Sequence, residues 1–453
     1  MKGSPLSLLS LQNAPPITTA EGLKNARRLI SARTGIISKL EFVGLGPDDP
    51  AVFYAKGTPV DYSFITGYKA LNFGAGVSAD PDRAAIKAVG ECVERYCSSL
   101  YDENDLIRAT QNELAEECIA LQDLALFSAN QYAQPDFLFP RLTPDSSLYW
   151  AKGYSLSQDK PIWIPASLVY LPYLYAADEP IFHRQITTGM ACGPNLPAAI
   201  YRGILEMIER DAFMIVWHNR LSCPTLDPLG STDPVIKELL QQIESLPIEI
   251  HIKVMTLDIE VTAIVALFEK KNGIPPHTGL GMAVDLNPTQ ALRRALEEML
   301  LVYLGMSTYC KENPVHHRDI EYKKVNLPTD HGIIHAMEPE LLETVRFLKS
   351  KEKTVTMKDL PSHHHDNPVE DCKLLVAMLE KSGLQTHVVD MTTVDIDDAG
   401  FKVVRVVIPG MQPLDLEHTC PHLGSKRLYE VPKKLGFKPL KETELNPDPH
   451  PCP

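Results

Sequence analysis

The chain carries the pattern Glu-x-x-Glu-Arg twice, at Glu91–Arg95 and at Glu206–Arg210. On a helix, residues i and i+3 share a face and i+4 borders it. Each motif therefore sets two carboxylates side by side with a guanidinium at their edge. The plain alternative is a solvated helix face with an ion pair. The surroundings of the second motif argue against it. Ala198–Leu205 before it and Ala212–Trp217 after it are apolar on nearly all sides, which predicts a buried helix. Buried carboxylates stay ionised only when paired or bound to cations, and two glutamates three residues apart repel. A hard cation resolves the conflict, because Mg²⁺ takes one or two carboxylates together with waters and substrate phosphates. Glu91, Glu94, Glu206 and Glu209 are thus candidate metal ligands, enough for more than one Mg²⁺ against a nucleotide triphosphate. Arg95 and Arg210 are placed to meet phosphate or orient the carboxylates. A third segment, Ala291–Glu298, sets Arg294 and Glu298 in an apolar frame. A surface ion-pair ladder explains that segment equally well.

Other candidates are weaker. No GxxxxGK followed by Ser or Thr occurs, so the chain is not a P-loop protein. Gly74–Ser78 reads as a turn that can offer backbone N–H groups to an anion, though alone such a run is more often a plain turn. His363-His364-His365 lies in a polar loop without an acidic or Cys partner at metal spacing, and reads as solvated. His387 reads as structural. Cys192 sits in a Gly-rich turn, and no histidine is placed by spacing to activate it. The nine cysteines are scattered, odd in number and without a CxxC pair. That excludes a zinc ribbon or a disulfide framework and fits reduced thiols in a cytoplasmic protein.

The elements that must position these residues alternate between helix and strand, so the class is α/β or α+β. A Thr18–Glu21 capping box predicts a helix near 19–33 rather than a targeting peptide. Pro81 to Leu100 and 197–218 are the long apolar helices. The stretch 101–145 reads as helical and more polar. Residues 148–171 read as a hairpin about Gln158-Asp159-Lys160. Ile248–Val254 alternates as a half-buried strand, followed by a strand at Val261–Phe268 and a helix at Pro288–Leu304. Asp371–Ser382 is a helix, and Leu384–Val389 and Val403–Ile408 are strands. The 453 residues divide into an N-terminal cap (1–64), a main domain (65–445) and a proline-rich arm (446–453), whose alternate prolines favour an extended form. Lys and Arg number 44 against 58 Asp and Glu, a net charge of −14. Nothing global draws the chain to nucleic acid or an anionic membrane, and no apolar run reaches the roughly 18 residues of a membrane helix.

Phe73–Cys97 and Thr187–Trp217 resemble the two signatures of YcaO-domain proteins. Asp390–Thr392 with Val403–Gly410 resembles the family's later strands, and Pro447–Pro453 resembles the proline-rich end of its azoline-forming branch. The resemblance spans about 65–453. It implies the YcaO fold and an ATP-dependent cyclodehydratase, the D protein of thiazole/oxazole-modified microcin and related peptide biosynthesis. A Cys, Ser or Thr side chain of a ribosomally made precursor peptide attacks the preceding carbonyl. The amide oxygen is then phosphorylated and leaves, giving a thiazoline or oxazoline. By this resemblance Glu91, Glu94, Glu206 and Glu209 ligate Mg²⁺. Arg95, Arg210, Arg294 and Glu298 bind ATP, and Pro453 brings a carboxylate to the active site for proton transfer. The family often has Asn and Glu where Pro194 and Ala198 stand here, and Gln where Leu301 stands. These departures put individual nucleotide contacts in doubt. The 60 or so leading residues are too few for the fused E1-like recognition domain of some relatives. A separate leader-binding E1-like partner is therefore implied, with a flavin-dependent azoline dehydrogenase downstream and a homodimer as the common assembly. Thioamide formation, with sulfide as nucleophile, is the alternative within the fold, and a non-catalytic scaffold the alternative outside catalysis. The terminal proline run argues against the first and both Glu-x-x-Glu-Arg motifs against the second.

Overall fold

Proline, 37 of the 453 residues, has a structural use in this chain: it opens helices. Its missing N–H costs nothing in the first turn, and its fixed φ suits the helix. The computed structural model describes residues 6–8, 11, 17–46, 49–67, 73–124, 126–313, 325–350 and 353–452. After α1 (Thr19–Arg28), whose Thr18–Glu21 capping box forms as expected, the principal helices start with Pro at the first or second position. They are α2 (Pro81–Ser98), α3 (Leu196–Asn219), α4 (Pro234–Glu244), α5 (Pro288–Glu312), α6 (Pro328–Met337) and α7 (Pro368–Lys381). Asp80, Asn195, Asp233, Asn287 and Asn367 cap five of them by accepting first-turn N–H groups, the usual N-cap chemistry. A short α8 (Arg427–Lys434) follows.

The strands form three sheets. The first is β1 (Ile37–Phe42), β2 (Phe53–Pro59) and β3 (Gly74–Ser78), in that order. The second contains β4 (Ile107–Ala109), β5 (Leu148–Ser155), β6 (Lys160–Pro165), β7 (Met190–Gly193), β13 (His387–Asp390) and β14 (Lys402–Val407). Its order is β4-β5-β13-β14-β7, with β6 also on β5. The third contains β8 (Thr225–Asp227), β9 (Ile248–Val254), β10 (Thr262–Lys270), β11 (Thr278–Asp285) and β12 (Thr354–Thr356), in the order β11-β10-β9-β8-β12. β8 and β12 pair in parallel; the other named pairings are antiparallel. Helices and sheets mix throughout, as an α/β (α+β) chain should.

Each long helix has its own core. Val89 and Val93 of α2 pack with Trp150 and Ile164 of the second sheet. Ile204, Phe213 and Trp217 of α3 pack with Val265, Met282 and Val406. Leu292, Leu296 and Leu300 of α5 pack with Ile252, Ile264 and Phe268. The apolar girth of α3 is thereby buried on nearly every side.

Four expectations change. The stretch 101–145 is not a long helix. It holds β4 and single turns at Gln111–Leu114 and Ala129–Tyr132, each closed by its own capping box. Helix nucleation is costly and is repaid only by propagation, which the polar, Pro-punctuated sequence does not support. Gly74–Ser78 and Met190–Gly193 are strands, not turns. β11 escapes a periodicity search because every one of its residues is buried, so there is no alternation to find. The 148–171 hairpin forms about Asp159, at φ 49°, but its second strand ends at Pro165 and a helical turn follows.

Candidate active site

β3, β7 and β11 each end their sheet. A terminal strand has one row of backbone groups without a strand partner, and here helices cover those rows. Glycines let them approach. A Cβ on Gly74 or Gly76 would lie 2.1 Å from Ala88 O or 2.3 Å from Ala84 O of α2. On Gly193 it would lie 2.6 Å from Ala199 N of α3, and on Gly281 2.1 Å from Met299 N of α5. Gly189, at φ 88°, turns the chain into β7 against Val406 O.

That closeness brings backbone N–H groups of these strands, and of the turn into β7, to helix glutamates. Ala75 N donates to Glu91 Oε2 at 2.8 Å, and Cys192 N to Glu94 Oε1 at 2.7 Å. Gly189 N donates to Glu206 Oε2 at 3.0 Å, and Met282 N to Glu298 Oε2 at 3.0 Å. Four of the sequence-selected glutamates are thus fixed in the same way. Glu209 is held differently: it is buried and lies 3.6 Å from Arg210.

The selected arginines stand among them. Arg95 Nη2 is 3.4 Å from Glu91, and Arg210 Nη2 is 4.0 Å from Glu206. Arg294 Nη1 is 3.4 Å from Asp285 Oδ2. The side chains of Glu91, Glu206 and Arg95 keep 33, 28 and 25% of their surface. The cluster therefore opens to solvent instead of lying wholly in a core, which corrects the expectation of full burial.

The charge balance is uneven. Desolvation pushes the Glu94 carboxyl up to about 7; Cys192 N–H and Arg95 oppose this, and the Glu206 and Glu91 charges add to it. Burial pushes Glu209 up to about 8, against Arg210 and Arg294 and with Glu298 and Glu206. Glu298 is raised by desolvation as well, against the pull of Arg210. Crowded carboxylates hold protons for want of cation charge. Meanwhile Arg95 Nε, Arg210 Nε and Arg405 Nε and Nη1 are buried donors without hydrogen-bond partners among the described residues. Unmet guanidinium donors beside under-neutralised carboxylates suit a ligand that brings both phosphate oxygens and divalent cations. Among the described residues no three His, Cys, Asp or Glu side chains form a ready-made metal cluster.

The third helix divides. Glu298 and Arg294 face the cluster. Glu297 instead accepts from Ser78 Oγ and pairs with Lys87 and Arg293, tying α2, β3 and α5 together. Pro194 and Ala198 lie at the start of α3, and Leu301 packs against the core around α5. Sequence reasoning missed Arg202, one turn before Glu206, which donates to Cys192 O at 3.1 Å. It also missed Asp285, which takes Tyr201 Oη at 2.9 Å as well as Arg294. Arg405 is buried, and desolvation lowers it to about 10, with Arg95 adding and Glu206 opposing. A lone charge inside Val-Val-Arg-Val-Val was the available signal.

Pro453 lies outside the described residues. Its neighbour Cys452 is buried, and Arg210 Nη1 donates to its Sγ at 2.9 Å. Of the remaining candidates, His365 is not simply solvated, because its Nδ1 lies 2.9 Å from Asp371 Oδ1. Cys192 is buried in β7 with its thiol pushed well up by burial, which leaves it inert. His387 is buried and lowered to about 4 by desolvation.

Residues 75–412 match the family described as YcaO cyclodehydratase, ATP- and Mg²⁺-binding. A solved structure described as a heterocyclase in complex with substrate and cofactor is 25% identical, with a TM-score of 0.83 over 99% of this chain. The chain spans 59% of that heterocyclase's length. The YcaO of Methanopyrus kandleri, bound with AMPPCP and Mg²⁺, shares the fold at 21% identity and a TM-score of 0.66, over 90% of this chain and 95% of that one. An uncharacterised protein of Methanothermobacter thermautotrophicus is 24% identical over 354 residues, 77% of this chain and 84% of its own. No helix among the described residues is long and apolar enough to cross a membrane. With three sheet ends converging on carboxylates and guanidinium groups, and the match running through all of them, the chain belongs to the YcaO family of ATP- and Mg²⁺-binding cyclodehydratases.

Proposed function

We propose that the chain catalyses ATP-dependent cyclodehydration of Cys, Ser or Thr in a ribosomally made precursor peptide, giving thiazoline or oxazoline. The observation that carries this reading is the set of glutamates fixed by backbone N–H groups together with buried guanidinium donors that lack acceptors among the described residues. An amide oxygen is a poor leaving group, and phosphorylation makes it a good one. The protein's part is positioning and charge neutralisation. Glu91, Glu94, Glu206 and Glu209 would hold Mg²⁺, which neutralises phosphate charge when bound. Arg95, Arg210, Arg294 and Glu298 would hold the nucleotide. Arg210 also touches Cys452, which supports a part for the proline arm, Pro453 included, in the reaction. A separate E1-like leader-binding protein would deliver the precursor, and a flavin-dependent dehydrogenase would oxidise the rings afterwards.

The test is phosphate release and peptide mass with ATP, Mg²⁺, a Cys-rich precursor and its leader-binding partner. One water should be lost per ring, with phosphate released only when peptide is present. ATP turnover with sulfur gained from added sulfide would replace this reading with thioamide formation. Peptide binding without any ATP turnover would replace it with a scaffold.

A further inference from the structure

Most of segment 446–452 is buried, with Asn446, His450 and Cys452 each at most 5% exposed, while Pro447 reaches the surface. Burying an extended segment normally strands its backbone groups. Pro447, Pro449 and Pro451 remove every second N–H. Of the four N–H groups left, Asn446 N donates to His218 O at 2.7 Å and Asp448 N to Asn446 Oδ1 at 3.2 Å.

The carbonyls are met by a row of ring nitrogens. Trp217 Nε1 donates to Asp448 O at 3.0 Å. His335 Nε2 lies 2.8 Å from Pro449 O, and His331 Nδ1 lies 3.2 Å from His450 O. Three successive carbonyls thus face three rings, two of them one turn apart on α6; His331 stands between two carbonyls, its Nε2 also 3.2 Å from Leu416 O, so the single proton of the neutral ring serves one of them at a time. A carbonyl only accepts, so His335 carries its proton on Nε2, and its Nδ1 is left without a partner. The His450 ring stacks on His331 with centroids 3.9 Å apart and reaches Asp415 O at 2.7 Å. Packing alone would be served by apolar side chains. These rings instead read backbone position, and a slip of one residue would bring prolines to the places where Asn446 and Asp448 donate.

We infer that Trp217, His331 and His335 are positioning residues that lock segment 446–452 in one register and so set Cys452 on Arg210. The link to catalysis rests on the cyclodehydratase reading; the register itself does not. The test uses the full chain with Trp217→Phe, which keeps the ring and loses the donor, and His335→Ala and His335→Gln. The first readout is alkylation of Cys452 by iodoacetamide, mapped by peptide mass. Loss of one such bond should speed alkylation about tenfold, with His335→Gln restoring protection and Trp217→Phe still folded, at a melting temperature lowered by the smaller ring. The second readout is ring formation, where kcat should fall about tenfold while the KM for ATP stays within about twofold. Cys452 staying protected in both Trp217→Phe and His335→Ala would overturn the inference. Exposure of Cys452 with ring formation intact would uphold the register and remove the arm from the proposed mechanism.

Discussion

At the residue scale, identical glutamates have been given different work by their neighbours. Glu91 and Glu206 each have one oxygen fixed by a backbone N–H and a surface that reaches solvent. Glu91→Gln or Glu206→Gln should therefore lower peptide-dependent phosphate release by about 10²-fold or more and raise the Mg²⁺ concentration needed, with little change in melting temperature. Glu297 is the contrasting case, since its bonds to Ser78, Lys87 and Arg293 close on protein. Glu297→Gln should lower stability by roughly 1–3 kcal/mol yet leave the KM for ATP near wild type, measured by denaturation and by a nucleotide titration. Activity loss without destabilisation in this variant would put Glu297 in the site. The two Glu-x-x-Glu-Arg motifs were legible because spacing alone sets a helix face. Arg405 and Asp285 were not, since their partners come from strands and helices far away in sequence.

At the element scale, the decisive feature is the contact of each site helix with a strand that ends a sheet. At Gly281 a Cβ would meet Met299 N at 2.1 Å and Ala295 O at 2.6 Å, both backbone atoms that cannot rotate away. Gly281→Ala should cost roughly 1–3 kcal/mol or more. By pushing α5 from β11 it should also break the Met282–Glu298 bond and weaken nucleotide binding. Calorimetric unfolding and nucleotide binding together check this, and an unchanged protein would refute the close-approach argument.

The histidine row makes the arm sensitive to acid. Burial lowers both His331 and His335 to about 4; His331 also faces Asp415, His418 and the ring of His450. A free imidazole titrates near 6.5. Between pH 6.5 and 4 the unfolded chain binds protons that the folded chain does not, so stability is lost as pH falls through that window. The loss is on the order of 3 kcal/mol per histidine over the whole window. Unfolding followed from pH 7 to 4 should show this slope in the wild type and a shallower one in His335→Gln. These carbonyl-to-ring matches were invisible in sequence, because His331 and His450 are 119 positions apart.

At the scale of the whole molecule, the site is where three separately packed cores meet. α2, α3 and α5 each belong to a different hydrophobic cluster, and their polar faces converge. A ligand that bridges them should stabilise the whole chain. Mg²⁺ with AMPPCP at about 100 times its dissociation constant should add about 2.7 kcal/mol, read as a rise in melting temperature that chelation abolishes and Glu206→Gln blunts. No shift with nucleotide and Mg²⁺ together would count against the proposed ligand set.

The sequence by itself determined the α/β (α+β) class, most of the long helices, the hairpin at Asp159 and the glutamate pairs, because each depends on local periodicity, capping or spacing. Only the tertiary structure decided that Gly74–Ser78 and Met190–Gly193 are strands, since glycine in both places answers to a helix backbone pressed against it. It likewise decided that Glu297 closes on Ser78, Lys87 and Arg293, and that most of the proline arm is buried. Neighbouring residues on one helix look alike in sequence, and what separates them is which sheet end, which N–H and which charge each one meets.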